Sequence, residues 1–291
     1  MSYNKQQSQQ FWLKFASIFS VLTALTLVVI KLIAWLISDS SAMLASLMDS
    51  SVDALIAIVN FAAIRYILTP ADDGHPFGHG KAGSLAILLQ ALFFAGSAII
   101  LLVNGGRQIV DPQIIQSSTM AITVSIVAII LTLALLLVQR IAINKTASII
   151  IKADSLHYRS DLLLNLGVIM TLVSSQYLGY WLDGFFAIAI GIWLAIQSQQ
   201  LIKQAIAELM DTQLDATLLK QVTKLIRQDA KIIEIHDLKT RQSADIQFIQ
   251  VHLVIEATTP LIDAHEIGEQ ARLRVLTLLP KAEVIIHLDP S

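Results

Sequence analysis

Two pairs of metal-ligating residues lie in apolar stretches of the chain, where a lipid bilayer would exclude charge. Asp49 and Asp53 are four residues apart, and so are His157 and Asp161. Residues with this spacing share one face of a helix. Three carboxylates and one imidazole make a four-ligand set for a divalent transition ion such as zinc. Each pair alone is a weak motif, but together the four residues predict an intramembrane metal site.

The same carboxylates have a second interpretation, in which they pair with Lys31 or Arg159 or face a water-filled vestibule. An aspartate at the bilayer centre costs about 2.5–3.5 kcal/mol on insertion scales, so three of them together favour a functional role. Lys31 lies near the outer end of the first apolar stretch and is expected to snorkel to the membrane interface.

Two further groups of candidate ligands lie outside the apolar stretches. The loop PADDGHPFGHGK contains Asp72, His75 and His79 at short metal-ligand spacing; Asp73 is an alternative ligand, and the histidines could instead be plain solvent-exposed residues. The C-terminal part holds the third group, which is His236, His252, His265, His287 and Asp289. A lone strand histidine is usually structural, yet all seven histidines of the chain fall in the three groups. The third group predicts two zinc ions if its aspartate bridges them.

The composition indicates a membrane protein with a soluble part. Of 291 residues, 55% are apolar and only 14% are charged, against about 25% in soluble domains, and the mean hydropathy is +0.67. The net charge of −2 and the lack of a basic block exclude a nucleic-acid-coating protein. The lack of cysteine excludes disulfide frameworks, thiolate metal sites and thiol catalysis, so strong metal ligands must be His, Asp or Glu. No HExxH motif supports an intramembrane metalloprotease.

Long apolar stretches predict six membrane-spanning helices, since about 20 helical residues cross a bilayer core about 30 Å thick. The stretches are 15–37, 42–64, 85–103, 120–138, 162–173 and 185–196. The fifth is long enough if it starts near Ala147, and the sixth if it covers about 180–201. Residues 1–207 are therefore predicted to form a six-helix transmembrane domain, and the polar start gives no sign of a cleavable signal peptide.

The distribution of basic residues predicts the orientation. Arg107 is alone on one side of the predicted spans. Eight basic residues lie on the side of the two termini: Lys5, Lys14, Arg65, Lys81, Arg140, Lys145, Lys152 and Lys203. By the positive-inside rule both termini are cytoplasmic.

Residues 208–291 are predicted to form a cytoplasmic α+β domain. Apolar residues recur at helical spacing over 214–226, and Thr212 with Asp215 resembles a capping box. Residues 232–239 and 246–255 alternate like strands, 263–278 form a second amphipathic helix, and 283–288 form a last strand. One face of the second strand carries Ile249, Val251, Leu253 and Ile255. The order helix, two strands, helix, strand suggests a small sandwich.

In these features the chain resembles the cation diffusion facilitator family over essentially its whole length. The resemblance rests on LASLMDSSVDAL, HPFGHGK, ADSLHYRSDLLLN, the HDL at 236–238 and VIIHLDP. It implies a homodimeric metal/proton antiporter of the bacterial inner membrane, with the intramembrane quartet as its transport site, the loop group as a second site and the tail group as a binuclear zinc site. It also implies a ferredoxin-like, metallochaperone-like tail and a charge interlock between Lys81 and Asp211. One departure is Gly83, where an acidic residue often follows GKA.

The predicted function is therefore proton-coupled efflux of divalent transition-metal cations, zinc first and also cadmium or ferrous iron, by a secondary transporter rather than an enzyme. No GxxxxGK[ST] motif is present, so an ion gradient must drive transport. Metal and protons compete for the same ligand atoms, which couples them. A membrane-anchored zinc sensor and a zinc-permeable channel are the alternatives. A mere anchor needs no buried carboxylates, and tight four-ligand coordination disfavours a rapid leak.

Overall fold

The computed structural model describes residues 2–38, 41–111, 119–178 and 181–291. The chain divides into two compact units, Met1–Gln204 and Ala205–Ser291. Each unit has its own secondary structure and its own core.

The first unit consists of long helices. They are α1 (Ser2–Ser38), α2 (Ser41–Ile67), α3 (Lys81–Val110), α4 (Thr119–Thr146), α5 (Ile149–Leu178) and α6 (Trp181–Leu209), of which the last continues into the second unit. Among the described residues, five of these helices are long and apolar enough to cross a membrane. The other, α5, is equally long, but Lys152, Asp154, Arg159 and Asp161 in its first half lower its hydropathy. The six predicted spans correspond to these six helices, although the predicted start of the sixth at residue 180 lies outside the described residues.

The helices that carry the predicted transport site are neighbours. Helix α1 packs against α2 and α4, and α5 packs against α2, α3 and α4. Small residues allow close approach elsewhere in the unit: a Cβ atom at Gly105 of α3 would lie 2.8 Å from the carbonyl oxygen of Gly184 in α6. Because α2 and α5 are in contact, their inward-facing side chains can share one site.

Gly83 is buried on the first turn of α3, where α2, α3 and α5 meet. A Cβ atom there would lie 2.8 Å from Cδ1 of Ile67 and 3.3 Å from Cδ1 of Ile150. Both isoleucine side chains would have to move to admit a larger residue. The glycine that departs from the family pattern therefore occupies a tight helix contact, which has no room for an acidic side chain without such a shift.

The second unit has the predicted order of elements. After the end of α6 it contains α7 (Ala216–Ile226), β1 (Glu234–Ser243), β2 (Ile246–Ile255), α8 (Leu261–Leu278) and β3 (Glu283–Pro290). The sheet order is β1-β2-β3, with β1 antiparallel and β3 parallel to β2. The predicted apolar face of β2 is confirmed, since all four of its residues are buried. The core of the second unit also contains Val222 and Ile226 of α7 and Ala271 and Val275 of α8.

The predicted capping box at the start of α7 is wrong. Asp215 itself is the N-cap, because its carboxylate accepts a hydrogen bond of 2.8 Å from the Thr217 amide. The amide of Thr212 instead donates to the Ala207 carbonyl at 2.9 Å, next to Asp211 at a φ of 53°. This left-handed residue followed by a bond back to the preceding helix is the pattern of a Schellman motif. Thr212 therefore ends α6 rather than starting α7.

Candidate metal centres

The intramembrane group forms where α2 and α5 meet. Nε2 of His157 lies 2.6 Å from Oδ1 of Asp53 and 3.4 Å from Oδ2 of Asp161. One ligand atom from each of the three residues lies within 4.8 Å of the others. Asp53 is buried and the other two side chains are partly buried. One imidazole nitrogen and two carboxylates thus lie close enough together to bind a single ion.

An aromatic residue on a third helix holds the imidazole. The ring of Phe94 on α3 stacks on that of His157 with 5.4 Å between centroids and 10° between planes. Phe94 is itself 1% exposed, so its ring is held in the packed interior. Nothing in the sequence distinguishes this phenylalanine from its apolar neighbours, and its positioning role is visible only in the structure.

Asp49, the fourth predicted member of the quartet, is not drawn into the three-residue cluster. It lies one turn from Asp53 on the same helix, with an exposed side chain. Its role as a ligand stays a prediction.

The predicted snorkelling of Lys31 is wrong. Its ammonium donates hydrogen bonds to Oγ of Ser50 at 2.6 Å and to the carbonyl oxygen of Ser46 at 3.2 Å. Both acceptors belong to α2, so the contact of α1 with α2 turns the side chain into the protein. Arg159, the other basic residue considered as a partner of the carboxylates, lies exposed on α5.

A polar cluster that sequence reasoning missed surrounds Asp154, one turn before His157. Its Oδ2 accepts hydrogen bonds of 2.7 Å from Ser20 of α1 and 2.7 Å from Gln139 of α4, and its Oδ1 accepts one of 3.1 Å from Asn60 of α2. All four side chains are buried. A buried carboxylate needs such donors in a low-dielectric interior. Asp154 therefore joins four helices beside the metal centre. In the sequence, this cluster was indicated only by polar residues within the apolar spans.

The loop group is assembled by a tight turn between α2 and α3. Asp72 pairs through Oδ1 with Nδ1 of His75 at 3.2 Å and through Oδ2 with Nε2 of His79 at 3.3 Å. Gly78 has a φ of 77°, a conformation that glycine adopts without strain. His79 is buried against Tyr66, with 4.3 Å between ring centroids, whereas Asp72 and His75 are exposed. The three predicted ligands converge, and the alternative ligand Asp73 lies exposed beside them.

The electrostatics of the loop favour a charged carboxylate. Partial loss of hydration raises the pKa of Asp72, but hydrogen bonds from the amide and ring of His75, together with the imidazole of His79, lower it on balance. Asp72 is thus ionised over a wider pH range than a free aspartate, and an ionised carboxylate is the form that binds a cation.

The tail group forms a row across the sheet. His236 on β1 pairs in register with His252 on β2, which pairs in register with His287 on β3. The irregularity in β1 comes immediately after His236, where Asp237 has a φ of 51°. In β2, His252 alternates with the buried Val251 and Leu253, so the row lies on the face opposite the helices.

Asp289 is the common partner of this row. Its Oδ2 lies 2.9 Å from Nδ1 of His252 and 3.3 Å from Nε2 of His236, and its Oδ1 lies 3.3 Å from Nε2 of His287. The hydrogen bond from His252, with the nearby imidazoles, lowers the pKa of Asp289. Each oxygen of this carboxylate faces a different part of the row, which is the arrangement that a bridging carboxylate requires.

His265, the remaining predicted tail ligand, is not part of this row. It lies exposed on the first half of α8, where it interacts electrostatically with Glu269. Its role as a ligand stays a prediction.

Comparison with known proteins places the whole chain in one family. Residues 17–210 match the model of the cation efflux transmembrane domain, and residues 214–291 match that of the cytoplasmic domain of cation efflux proteins. Cation-efflux pump FieF of Shewanella oneidensis is 47% identical, over 98% of this chain and 97% of its own length. FieF of Yersinia pestis is 38% identical, over 96% of this chain and 93% of its own. A solved structure of CzrB in its zinc form is 27% identical, with a TM-score of 0.26, and covers 28% of this chain and 93% of its own.

The family models and the full-length relatives agree with the sequence motifs. The match covers both units, so the membrane helices and the cytoplasmic domain belong to one kind of transporter. The protein is a multi-pass membrane protein and a transporter of metal cations rather than an enzyme. The chain belongs to the cation diffusion facilitator family of cation-efflux proteins.

Proposed function

We propose that this protein exports divalent transition-metal ions from the cytoplasm in exchange for protons, with zinc as the main substrate and cadmium or ferrous iron as further substrates. Asp49, Asp53, His157 and Asp161 form the transport site. The observation that carries the proposal is the 2.6 Å contact between Nε2 of His157 and Oδ1 of Asp53.

The contact between His157 and Asp53 supports exchange because it holds a proton where the ion would bind. A nitrogen and an oxygen this close share a hydrogen atom. A bound ion would use the same lone pairs, so the metal and the proton exclude each other. Ligand groups that must lose protons to bind a metal make metal binding depend on pH.

The ligand set favours zinc or cadmium. One imidazole and up to three carboxylates match the tetrahedral N/O sites of zinc, whereas magnesium, calcium and manganese prefer oxygen ligands alone. With a neutral imidazole, three carboxylates bring a charge of −3 to the site, and a divalent ion leaves −1. Protons arriving from the outer side displace the ion and reset the site.

The proposed membrane arrangement is supported by the distribution of basic residues and by the family resemblance. Residues 1–207 form the transport domain and residues 208–291 the cytoplasmic domain, with both termini in the cytoplasm of a bacterium and the spans in its inner membrane. Rocking of helices around a site near the bilayer midplane gives alternating access. The cytoplasmic domain joins two copies as a homodimer.

The other two centres bind metal without carrying it across the membrane. His236, His252, His265, His287 and Asp289 hold two zinc ions, bridged by the aspartate. Metal at this site stabilises the cytoplasmic domain, so the stability of the domain depends on the cytosolic zinc level. Asp72, His75 and His79 hold an ion at the cytoplasmic surface of the transport domain.

Zinc flux in sealed everted vesicles tests the proposal against the two alternatives. An exporter accumulates zinc against its gradient when a pH gradient is imposed and stops when a protonophore removes it. A channel equilibrates zinc at the same rate with and without the pH gradient. A sensor gives no flux in either condition. Only the first outcome supports proton-coupled efflux.

A further inference from the structure

Lys31 is a basic side chain placed inside the transport domain beside the proposed site. It is partly buried, and its ammonium binds Oγ of Ser50 and the carbonyl oxygen of Ser46 on α2. Both acceptors are neutral oxygens. These two hydrogen bonds therefore anchor the ammonium without cancelling its charge.

The anchor points bring that charge within one helical turn of the proposed ligands. Ser46 precedes Asp49 by three residues, and Ser50 precedes Asp53 by three residues. Residues three apart on a helix are surface neighbours, with about 5–6 Å between Cβ atoms. The Lys31 ammonium attracts the carboxylates of Asp49 and of Asp161, which lies across the site on α5.

We propose that Lys31 is the resident counter-ion of the transport site. The inference rests on the proposed function, since it takes the quartet to be the site of transport. Three carboxylates and a divalent ion leave one negative charge, and the lysine brings the loaded site to neutrality. Charge is costly where the bilayer excludes water, so a neutral loaded site can change its exposure from one side to the other more easily.

This role predicts a specific kinetic pattern. Without the lysine, the site attracts a divalent ion more strongly and releases it more slowly. KM and kcat for zinc then fall together, which is the pattern of a variant that holds its bound substrate too well. A side chain needed only for packing would lower kcat and leave KM unchanged or raise it.

The test measures initial rates of zinc uptake by the full-length protein in proteoliposomes, over a range of zinc concentrations at one fixed pH gradient. In Lys31→Gln we expect both KM and kcat to fall by about tenfold. Lys31→Arg keeps the charge and should keep both constants within about threefold of the wild type. Lys14→Gln removes a lysine from the same helix 17 positions away and is the matched control; it should behave as the wild type.

A second measurement separates charge from folding within one preparation. Because the chain has no cysteine, Lys31→Cys carries its only thiol. Aminoethyl methanethiosulfonate attaches an ammonium to this thiol as a mixed disulfide, and methyl methanethiosulfonate attaches a neutral group. We expect the first reagent, but not the second, to restore KM and kcat toward the wild type.

Four results would overturn the inference: wild-type kinetics in Lys31→Gln, a fall in its kcat without a fall in KM, an equal loss of kcat in Lys31→Arg, or equal effects of the two reagents. Asp53→Asn, run in parallel, reports on the transport site itself. If Asp53→Asn is inactive while Lys31→Gln resembles the wild type, only the counter-ion role fails. If Asp53→Asn transports normally, the proposed transport site fails, whatever Lys31 does.

Discussion

Replacing Asp53 by asparagine is the most direct test of the transport site. Asparagine keeps the volume of the side chain and an oxygen that can accept the hydrogen bond from His157, but it removes the negative charge. The carboxylate lies 2.6 Å from Nε2 of His157, and only 11% of its side chain is exposed. The substitution therefore changes the charge of the site with little disturbance of the packing around it.

The size of the effect follows from this burial. Removing one partner of a buried, hydrogen-bonded charge pair costs about 3–5 kcal/mol. At about 1.4 kcal/mol for each factor of ten, zinc binding should weaken roughly a hundredfold to a few thousandfold. At zinc concentrations that saturate the wild type, we expect no uptake above that of empty liposomes.

The assay for Asp53→Asn is zinc uptake by proteoliposomes with an imposed pH gradient, followed by a zinc indicator in the lumen. Asp111→Asn makes the same chemical change at the C-cap of α3, at a residue outside the three groups of candidate ligands, and should transport at the wild-type rate. Size-exclusion profiles and melting curves of the detergent-solubilised variants check that each variant is folded. Uptake by Asp53→Asn within threefold of the wild type would refute the reasoning.

Three further outcomes are expected. His157→Asp makes the site all-oxygen and removes its imidazole, one of the groups that exchange protons for the ion in the proposed mechanism. Zinc and manganese fluxes from pH 6 to 8 should therefore show weaker discrimination against manganese and a flatter pH profile; an unchanged profile would mean that the aspartates, not His157, exchange the protons. In the tail segment 208–291, zinc at about a hundredfold excess over Kd should raise the melting temperature by about 10 °C or more, and Asp289→Ala should lose most of this rise. Asp215→Ala should lower the melting temperature of that segment by a few degrees. Hydrogen bonds from Thr217 lower the pKa of Asp215 in the fold, so its contribution is present above about pH 4 and declines at lower pH, where melting curves of the two forms should converge.

Periodicity predicted most of the secondary structure because burial follows it directly. Ile249, Val251, Leu253 and Ile255 alternate along the sequence and all face the tail core. The boundaries were harder to predict, since caps depend on the chain on both sides. Thr212 has the residue type of an N-cap, yet its amide closes the preceding helix.

The sequence by itself identified the candidate metal ligands. Ionisable residues in apolar spans are costly, and seven histidines confined to three groups leave few other interpretations. Spacing also placed Asp49 with Asp53 on one helix face, and His157 with Asp161 on another. The convergence of the loop triad could be expected from short spacing and turn residues alone.

Only the tertiary structure decided which groups meet across elements. The register of three strands aligns His236, His252 and His287, and helix packing stacks Phe94 on His157 and turns Lys31 toward α2 rather than the interface. Such contacts depend on the rotation and distance of neighbouring elements, which residue types and local periodicity do not encode. Spacing along one element is local information, whereas a site built from several elements is set by how their surfaces pack.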